Sequence, residues 1–346
     1  MSTTGDAHSG YPVEPEDAET SPIAGRPAPT TEDFVRQIKE TADKLLRDAA
    51  TRGDVKLLST ALKELRYSFK VFSAYRDHRK VTVFGSARLK ADHPAYRAAV
   101  EFGHRMSQEG FMVITGAASG IMEAGHIGAG RDDSIGINIM LPFEQAANPV
   151  IANDPKLMHL KYFFTRKLLF VKETDAVVLF PGGFGTLDEG FEALTLVQTG
   201  KSHMFPIVMV DEPGGDYWKQ ILGFIEGVVL KRGFISPADR ALYKVTDSIE
   251  EAVREVTGFY RVYHSMRYVK DTLVLRLKRP ISESTLEGIR KDFADIVVKG
   301  TFELTTAHPF EANEESLREL PRLRFHFDRH ALGRLRMLID RINKDG

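Results

Sequence analysis

Ala176-Val-Val-Leu-Phe180 runs directly into Pro181-Gly182-Gly183-Phe184-Gly185-Thr186, and Glu189 follows three residues later. Five apolar residues bounded by a proline read as a buried strand, and the amphipathic stretch beyond the glycines reads as a helix. Gly182, Gly183 and Gly185 let a backbone approach an anion closely and point successive N–H groups at it. A phosphate at the start of the following helix also gains from the free N–H groups and the macrodipole. No Gly-Lys-Ser/Thr follows, as a Walker A loop requires, and the Gly-x-Gly-x-x-Gly spacing of dinucleotide folds is absent. A monophosphate ligand is the simpler fit. Thr186 and Glu189 also satisfy a Thr-x-x-Glu capping box, so Glu189 reads equally as a chemical group or as a helix cap.

Outward from this turn, Val81–Phe84, Met112–Thr115, Ile135–Met140 and Pro206–Val210 read as further buried strands separated by helical patterns. The alternation predicts an α/β fold with right-handed βαβ units and a doubly wound parallel sheet. Ligands of such sheets bind at the carboxyl ends of the strands. Those ends carry Gly85-Ser86-Ala87-Arg88, Gly116-Ala117-Ala118-Ser119-Gly120 and the Pro181 turn, so three loops are expected to converge on one rim.

Residues 1–31, rich in Ser, Thr, Gly, Pro and acidic side chains, read as a disordered tail. Residues 32–79 read as two helices, 80–258 as the nucleotide-binding domain and 259–346 as a small α+β domain. In that last part Leu273–Leu277, Ile296–Thr305 and Leu323–Phe327 read as strands, and a helix over Ser284–Phe293 is expected to open on a capping box at Ser284 and Glu287. The 346 residues exceed one ordinary core, and 42% apolar with 27% charged residues describes a globular chain. With 47 basic and 48 acidic side chains the net charge is -1, which disfavours nucleic acid or an anionic membrane as partner. There are no cysteines, excluding disulfide, thiolate-metal and cysteine-nucleophile chemistry. No signal-like or membrane-spanning run is evident in the sequence, so a cytoplasmic address is expected. The histidines, among them His104, His126, His159 and His203, show no metal-ligand spacing and read as surface or satisfied core residues; no metal is expected. Phe163, Phe164 and Leu168 read as core.

Val81–Arg88, Thr115-Gly116 with Gly120-Ile-Met-Glu-Ala124, Leu141-Pro-Phe-Glu-Gln145, Arg166-Lys167 and Pro181–Glu189 together resemble the Lonely Guy (LOG) family, long labelled possible lysine decarboxylases. The resemblance covers roughly residues 80–258. It implies a Rossmann-like subunit, a homodimer or higher homo-oligomer, that hydrolyses nucleoside 5′-monophosphates, AMP or cytokinin ribotides, to free base and ribose 5-phosphate without a cofactor. By the same resemblance Glu189 is the catalytic carboxylate and Arg166 its basic partner. Gly182, Gly183, Gly185, Thr186 and Lys167 would hold substrate, with Glu144, Thr195, Gly85, Ser86, Gly116 and Gly120 as further contacts. Members commonly carry Gly-Gly-Gly where this chain has Gly116-Ala117-Ala118, and two added methyl groups there are expected to narrow the approach to ribose or phosphate. That departure leaves open a non-catalytic nucleotide sensor or a binding protein like molybdenum-cofactor carriers.

Overall fold

The structure, a computed structural model, describes residues 29–140, 146–307 and 317–346. Most of the expected tail and the Leu141–Gln145 segment lie outside the described residues. The described residues divide into two units, one up to residue 55 and one from residue 56 onward. In the first, helix α1 (Thr31–Arg47) begins on a reciprocal capping box between Thr30 and Asp33 and buries none of its residues. Helix α2 (Arg52–Ser73) starts in the first unit and ends in the second.

The larger unit is built on seven strands: β1 (Lys80–Phe84), β2 (Met112–Thr115), β3 (Ser134–Ile139), β4 (Leu157–Leu160), β5 (Ala176–Leu179), β6 (Ile207–Val210) and β7 (Tyr243–Thr246). They pair in the order β4-β3-β2-β1-β5-β6-β7, every pair parallel. Helices α3 (Pro94–Gln108), α4 (Ile121–Ala129), α5 (Phe163–Lys172), α6 (Phe184–Gln198), α7 (Tyr217–Phe224) and α8 (Ile249–Phe259) supply the crossovers and flanks. This is the expected Rossmann-like, doubly wound α/β architecture. Its central strands are apolar because both faces are covered: β1, β2, β5 and β6 are buried throughout. Phe102 on α3 meets Phe180 beyond β5 edge-on at 6.2 Å, and both are fully buried. Truncating either to Ala would cost about 3–5 kcal/mol.

Strand order reverses between β1 and β5, whose register pairs Val83 with Val178 and Phe84 with Leu179. A crevice opens outside the carboxyl ends at such a switch point. The sequence places Gly85 and Pro181 there, one after each of the two strands.

The remaining strands form an antiparallel sheet in the order β10-β11-β9-β8, from β8 (Tyr263–Val269), β9 (Thr272–Leu277), β10 (Val297–Thr305) and β11 (Arg322–Phe327). Helix α9 (Glu283–Asp292) is capped by Ser282, whose hydroxyl accepts from Thr285 N, rather than by Ser284 as expected. Helix α10 (Leu332–Asp345) buries Leu335, Leu338, Ile339 and Ile342 in one hydrophobic core continuous with that of the parallel sheet. Asn343, 6% exposed, ties α10 to the end of α8 and the start of β8: its Oδ1 accepts from Val262 N and Tyr263 N at 2.8 and 3.0 Å, and its Nδ2 donates to Phe259 O. Among the described residues no helix is long and apolar enough to cross a membrane.

Candidate active site

Three loops meet at the switch point and are laced by backbone hydrogen bonds. Ser86 N donates to Pro181 O at 3.0 Å, joining the loops after β1 and β5. Ile121 N donates to Ser86 O at 3.0 Å, joining the loops after β1 and β2. The Ser119 hydroxyl donates to Ala87 O at 2.9 Å, and Ser86 Oγ accepts from Arg88 N at 3.2 Å. Gly120 lies at φ +69°, where a side chain would be strained, and a Cβ on it would fall 2.3 Å from Ser86 O. Glycine there is what lets the β1 and β2 loops touch.

Helix α6 begins immediately after the glycine turn. Its N-cap is Gly183, and the N–H groups of Phe184 and Gly185 have no acceptor among the described residues. Positions 183 and 185 face open space, whereas Gly182 packs so closely on Thr186 that a Cβ would meet its Oγ1 at 2.1 Å. The result is an open cradle of backbone donors at the positive end of a 15-residue helix. Thr186 is the third helical residue and its N–H donates to Gly183 O, so the expected capping box at Thr186 and Glu189 is not formed. The helix starts earlier because the glycines themselves carry the cap geometry. Glu189 is thereby relieved of a capping role.

Glu189 is 8% exposed, about 7–8 Å along the helix axis from Phe184. Burial raises its pKa, with the positive charges of Lys167 and Arg166 opposing the rise. Lys167, on α5, lies 3.4 Å from Glu189 and bridges to Asp188 at 2.9 Å and Glu192 at 2.7 Å. Burial weakens its charge, but hydrogen bonds to Glu192 and Asp188 and the charge of Glu189 outweigh that and raise its pKa. Lys167 is thus a clamp between α5 and α6, saturated by three carboxylates.

Arg166 stands differently. Its Nε donates to Ile137 O at 3.1 Å and its guanidinium lies 5.1 Å from the Phe170 ring centre. Burial lowers its pKa, and the charge of Glu189 partly restores it. Among the described residues it has no direct carboxylate partner, and its two terminal nitrogens carry no hydrogen bond, so they are available to an anion. Gly116 makes room for them: a Cβ there would sit 2.3 Å from Arg166 Nη2.

Several expectations change in the structure. Ala117 adopts φ +60° and is fully buried, its methyl packed with Ile151 and Leu157. That substitution therefore turns away from the cradle and does not narrow it. Phe163, Phe164 and Leu168 are 53%, 51% and 48% exposed, not core; the buried face of α5 is Thr165, Leu169 and Phe170. Thr195 is exposed on α6 and its hydroxyl back-bonds to Phe191 O, so a single chain does not bring it to Glu189. Glu144 lies outside the described residues. His126 is a satisfied core histidine: Thr115 Oγ1 lies 3.0 Å from its Nε2 and Asn148 Nδ2 3.2 Å from its Nδ1. Asn148 in turn donates from its backbone to Ala117 O and from its side chain to Ala118 O, holding the β2 loop in place.

Tyr217, at the start of α7, escaped the sequence reading. Its hydroxyl donates to Gly182 O at 2.6 Å, pinning the glycine turn from the side opposite Ser86. Asp211, buried at the end of β6, accepts from Trp218 N at 3.1 Å and so anchors the helix that presents Tyr217. An aromatic 35 residues beyond the turn gives no local signal of this contact.

The molecule is therefore a doubly wound α/β protein with a helix-start anion cradle backed by a buried carboxylate and an uncommitted arginine. Residues 114–256 match the family model described as "Possible lysine decarboxylase". A rice protein (Oryza sativa subsp. japonica) named "Probable cytokinin riboside 5'-monophosphate phosphoribohydrolase LOGL5" is 30% identical over 201 residues, spanning 56% of this chain and 78% of that protein. Arabidopsis thaliana "Cytokinin riboside 5'-monophosphate phosphoribohydrolase LOG3" is 29% identical over 188 residues, spanning 52% and 83%. Among solved structures, a molybdenum cofactor binding protein from Rippkaea orientalis matches at 20% identity and TM-score 0.37, covering 52% of this chain and 96% of that one. The chain belongs to the LOG family.

Proposed function

We propose that this protein hydrolyses the N-glycosidic bond of nucleoside 5′-monophosphates, with AMP as substrate, releasing the free base and ribose 5-phosphate. The observation that carries this is the placement of Glu189, a buried carboxylate of raised pKa, on the same helix whose first N–H groups form the anion cradle. Two relatives named as cytokinin riboside 5′-monophosphate phosphoribohydrolases support the substrate class.

In this mechanism the 5′-phosphate rests on the N–H groups at Phe184 and Gly185, with the terminal nitrogens of Arg166 beside it. The ribose then lies along the first turns of α6, towards Glu189. As the C1′–N bond breaks, its electron pair leaves with the base and positive charge grows on the sugar. The Glu189 carboxylate stabilises that charge and accepts a proton from the water that adds to C1′, and that proton passes on to the departing ring nitrogen, so the base leaves neutral. A carboxylate of raised pKa is a stronger base than an exposed one, while Lys167 and Arg166 keep it ionised.

Phe163, Phe164 and Leu168 on α5, with Phe184 and Phe191 on α6, leave apolar side chains exposed beside this site. A second copy of the chain as their cover, a homodimer, is part of the same proposal. Sedimentation of the purified protein should give a dimer, and Leu168→Asp should shift it to monomer. For activity, incubation with AMP, GMP, CMP, UMP and a cytokinin ribotide should release base from at least AMP; binding of all five without cleavage would overturn the enzymatic proposal.

A further inference from the structure

At the other end of the parallel sheet, where the amino ends of β1 and β5 meet β8, lies a cavity of about 660 Å3. Its walls include Arg76, Lys80, His203, Tyr260, Tyr263 and His264. None of these belongs to the glycine rim, and most of the acidic side chains around it are already committed. Asp175 receives Arg79 Nη1 at 2.7 Å through one oxygen and Lys80 N at 2.9 Å through the other. Arg79 also donates to His264 O at 3.2 Å and lies 3.6 Å over the Tyr260 ring, so it is fixed in place. Glu173 is paired with Lys172.

Lys80 remains. It is 4% exposed, and its ammonium donates to His78 O at 2.8 Å. Among the described residues it has no ion-pair partner, and two of its three donors are unspent. An ammonium buried without a direct ion pair favours an anionic partner. Burial lowers its pKa more than the surrounding carboxylates restore it. His264 tells the same story: burial and the charges of Arg79, Lys278 and Arg276 hold its pKa down to about 4. Tyr263 adds an unused hydroxyl, since its side chain is 1% exposed and makes no hydrogen bond among the described residues. Arg76 lines the cavity, is exposed, and has no ion-pair partner among the described residues.

We infer that this cavity is a binding site for a small anionic metabolite, whose acidic group pairs with Lys80 and Arg76 and accepts from the Tyr263 hydroxyl. Phosphate and carboxylate share the required chemistry: a compact anion with several acceptor oxygens for unspent N–H and O–H donors. The ligand would sit at the amino ends of the two strands whose carboxyl ends carry Gly85 and Pro181.

Calorimetric titration of the full chain with inorganic pyrophosphate, and separately with citrate, tests this and distinguishes the two anion types. At least one probe should bind saturably, and Lys80→Met should weaken that binding about tenfold or more. Tyr263→Phe, which keeps the ring packing, should weaken it about threefold and gives a second reading should Lys80→Met fail to fold. Arg166→Ala, which disables the glycine rim, should leave this binding event in place. Unchanged affinity in both Lys80→Met and Tyr263→Phe, loss of all binding in Arg166→Ala, or no binding of either probe at millimolar concentration would each overturn the assignment.

Discussion

Gly116 and Arg166 occupy one another's space: a Cβ on Gly116 would lie 2.3 Å from Nη2 of Arg166 and 2.8 Å from Sδ of Met122. The glycine after β2 is therefore the seat of an uncommitted guanidinium at the rim. Gly116→Ala should displace Arg166 while the backbone is kept, because the clashing atoms are ends of flexible side chains. Turnover of AMP should fall about a hundredfold, the scale of an ångström of misplacement, with a small change in melting temperature. Steady-state kinetics alongside thermal melting checks both halves; undiminished turnover would remove Arg166 from the mechanism.

Glu189→Gln separates chemistry from folding. The side chain is isosteric and the helix cap lies at Gly183, so folding should survive while kcat drops by about 10²–10⁴-fold. The pH behaviour has a definite sign. Burial raises the folded-state pKa of Glu189, so its contribution to stability is fully present below the ordinary carboxylate pKa and is lost as pH rises through the raised value. Relative to the unaltered protein, Glu189→Gln should thus gain stability from pH 4 to pH 7 in urea titrations. The acid limb of kcat/KM should lie above the ordinary carboxylate range.

Tyr217→Phe removes the hydroxyl that donates to Gly182 O at 2.6 Å. The stability loss should be about 0.5–1.5 kcal/mol. With the turn less firmly held, KM for AMP should rise several-fold and kcat should change less. Equal effects on a substrate lacking the 5′-phosphate would show that Tyr217 does not act through the phosphate cradle.

His126 predicts acid sensitivity. It is fully buried and its pKa is lowered to about 4, chiefly by burial. The stability held by the neutral ring is present above pH 6.5 and is lost as pH falls from there to about 4. The loss should be on the order of 3 kcal/mol across that window. Urea titrations of the unaltered protein and His126→Asn, compared at pH 7 and pH 4.5, should show the dependence flattened in the variant.

The central strands were legible because burial on both faces leaves them apolar, and the glycine turns because close approach leaves no room for side chains. The strands that escaped, β4, β7 and β8, are all sheet edges. β4 exposes His159, β7 exposes Lys244, and β8 is only part-buried after Tyr263, so none presents the continuous apolar run of a central strand. The site was legible where its residues are close in sequence, from Gly182 to Glu189. Tyr217 was not, because its contact is made through tertiary packing. The exposure of Phe163, Phe164 and Leu168 was hidden for a related reason: an apolar helix face looks the same in sequence whether it covers the sheet or faces outward.

The central claim is that Glu189 and the cradle at Gly183 work on one nucleotide. Chromatography of AMP incubated with the purified protein, and with Glu189→Gln, tests it most directly. Adenine and ribose 5-phosphate should appear in equal amounts with the unaltered protein, and release should fall at least a hundredfold with the variant while AMP still binds. AMP left intact by the unaltered protein, or cleaved as fast by Glu189→Gln, would contradict the account.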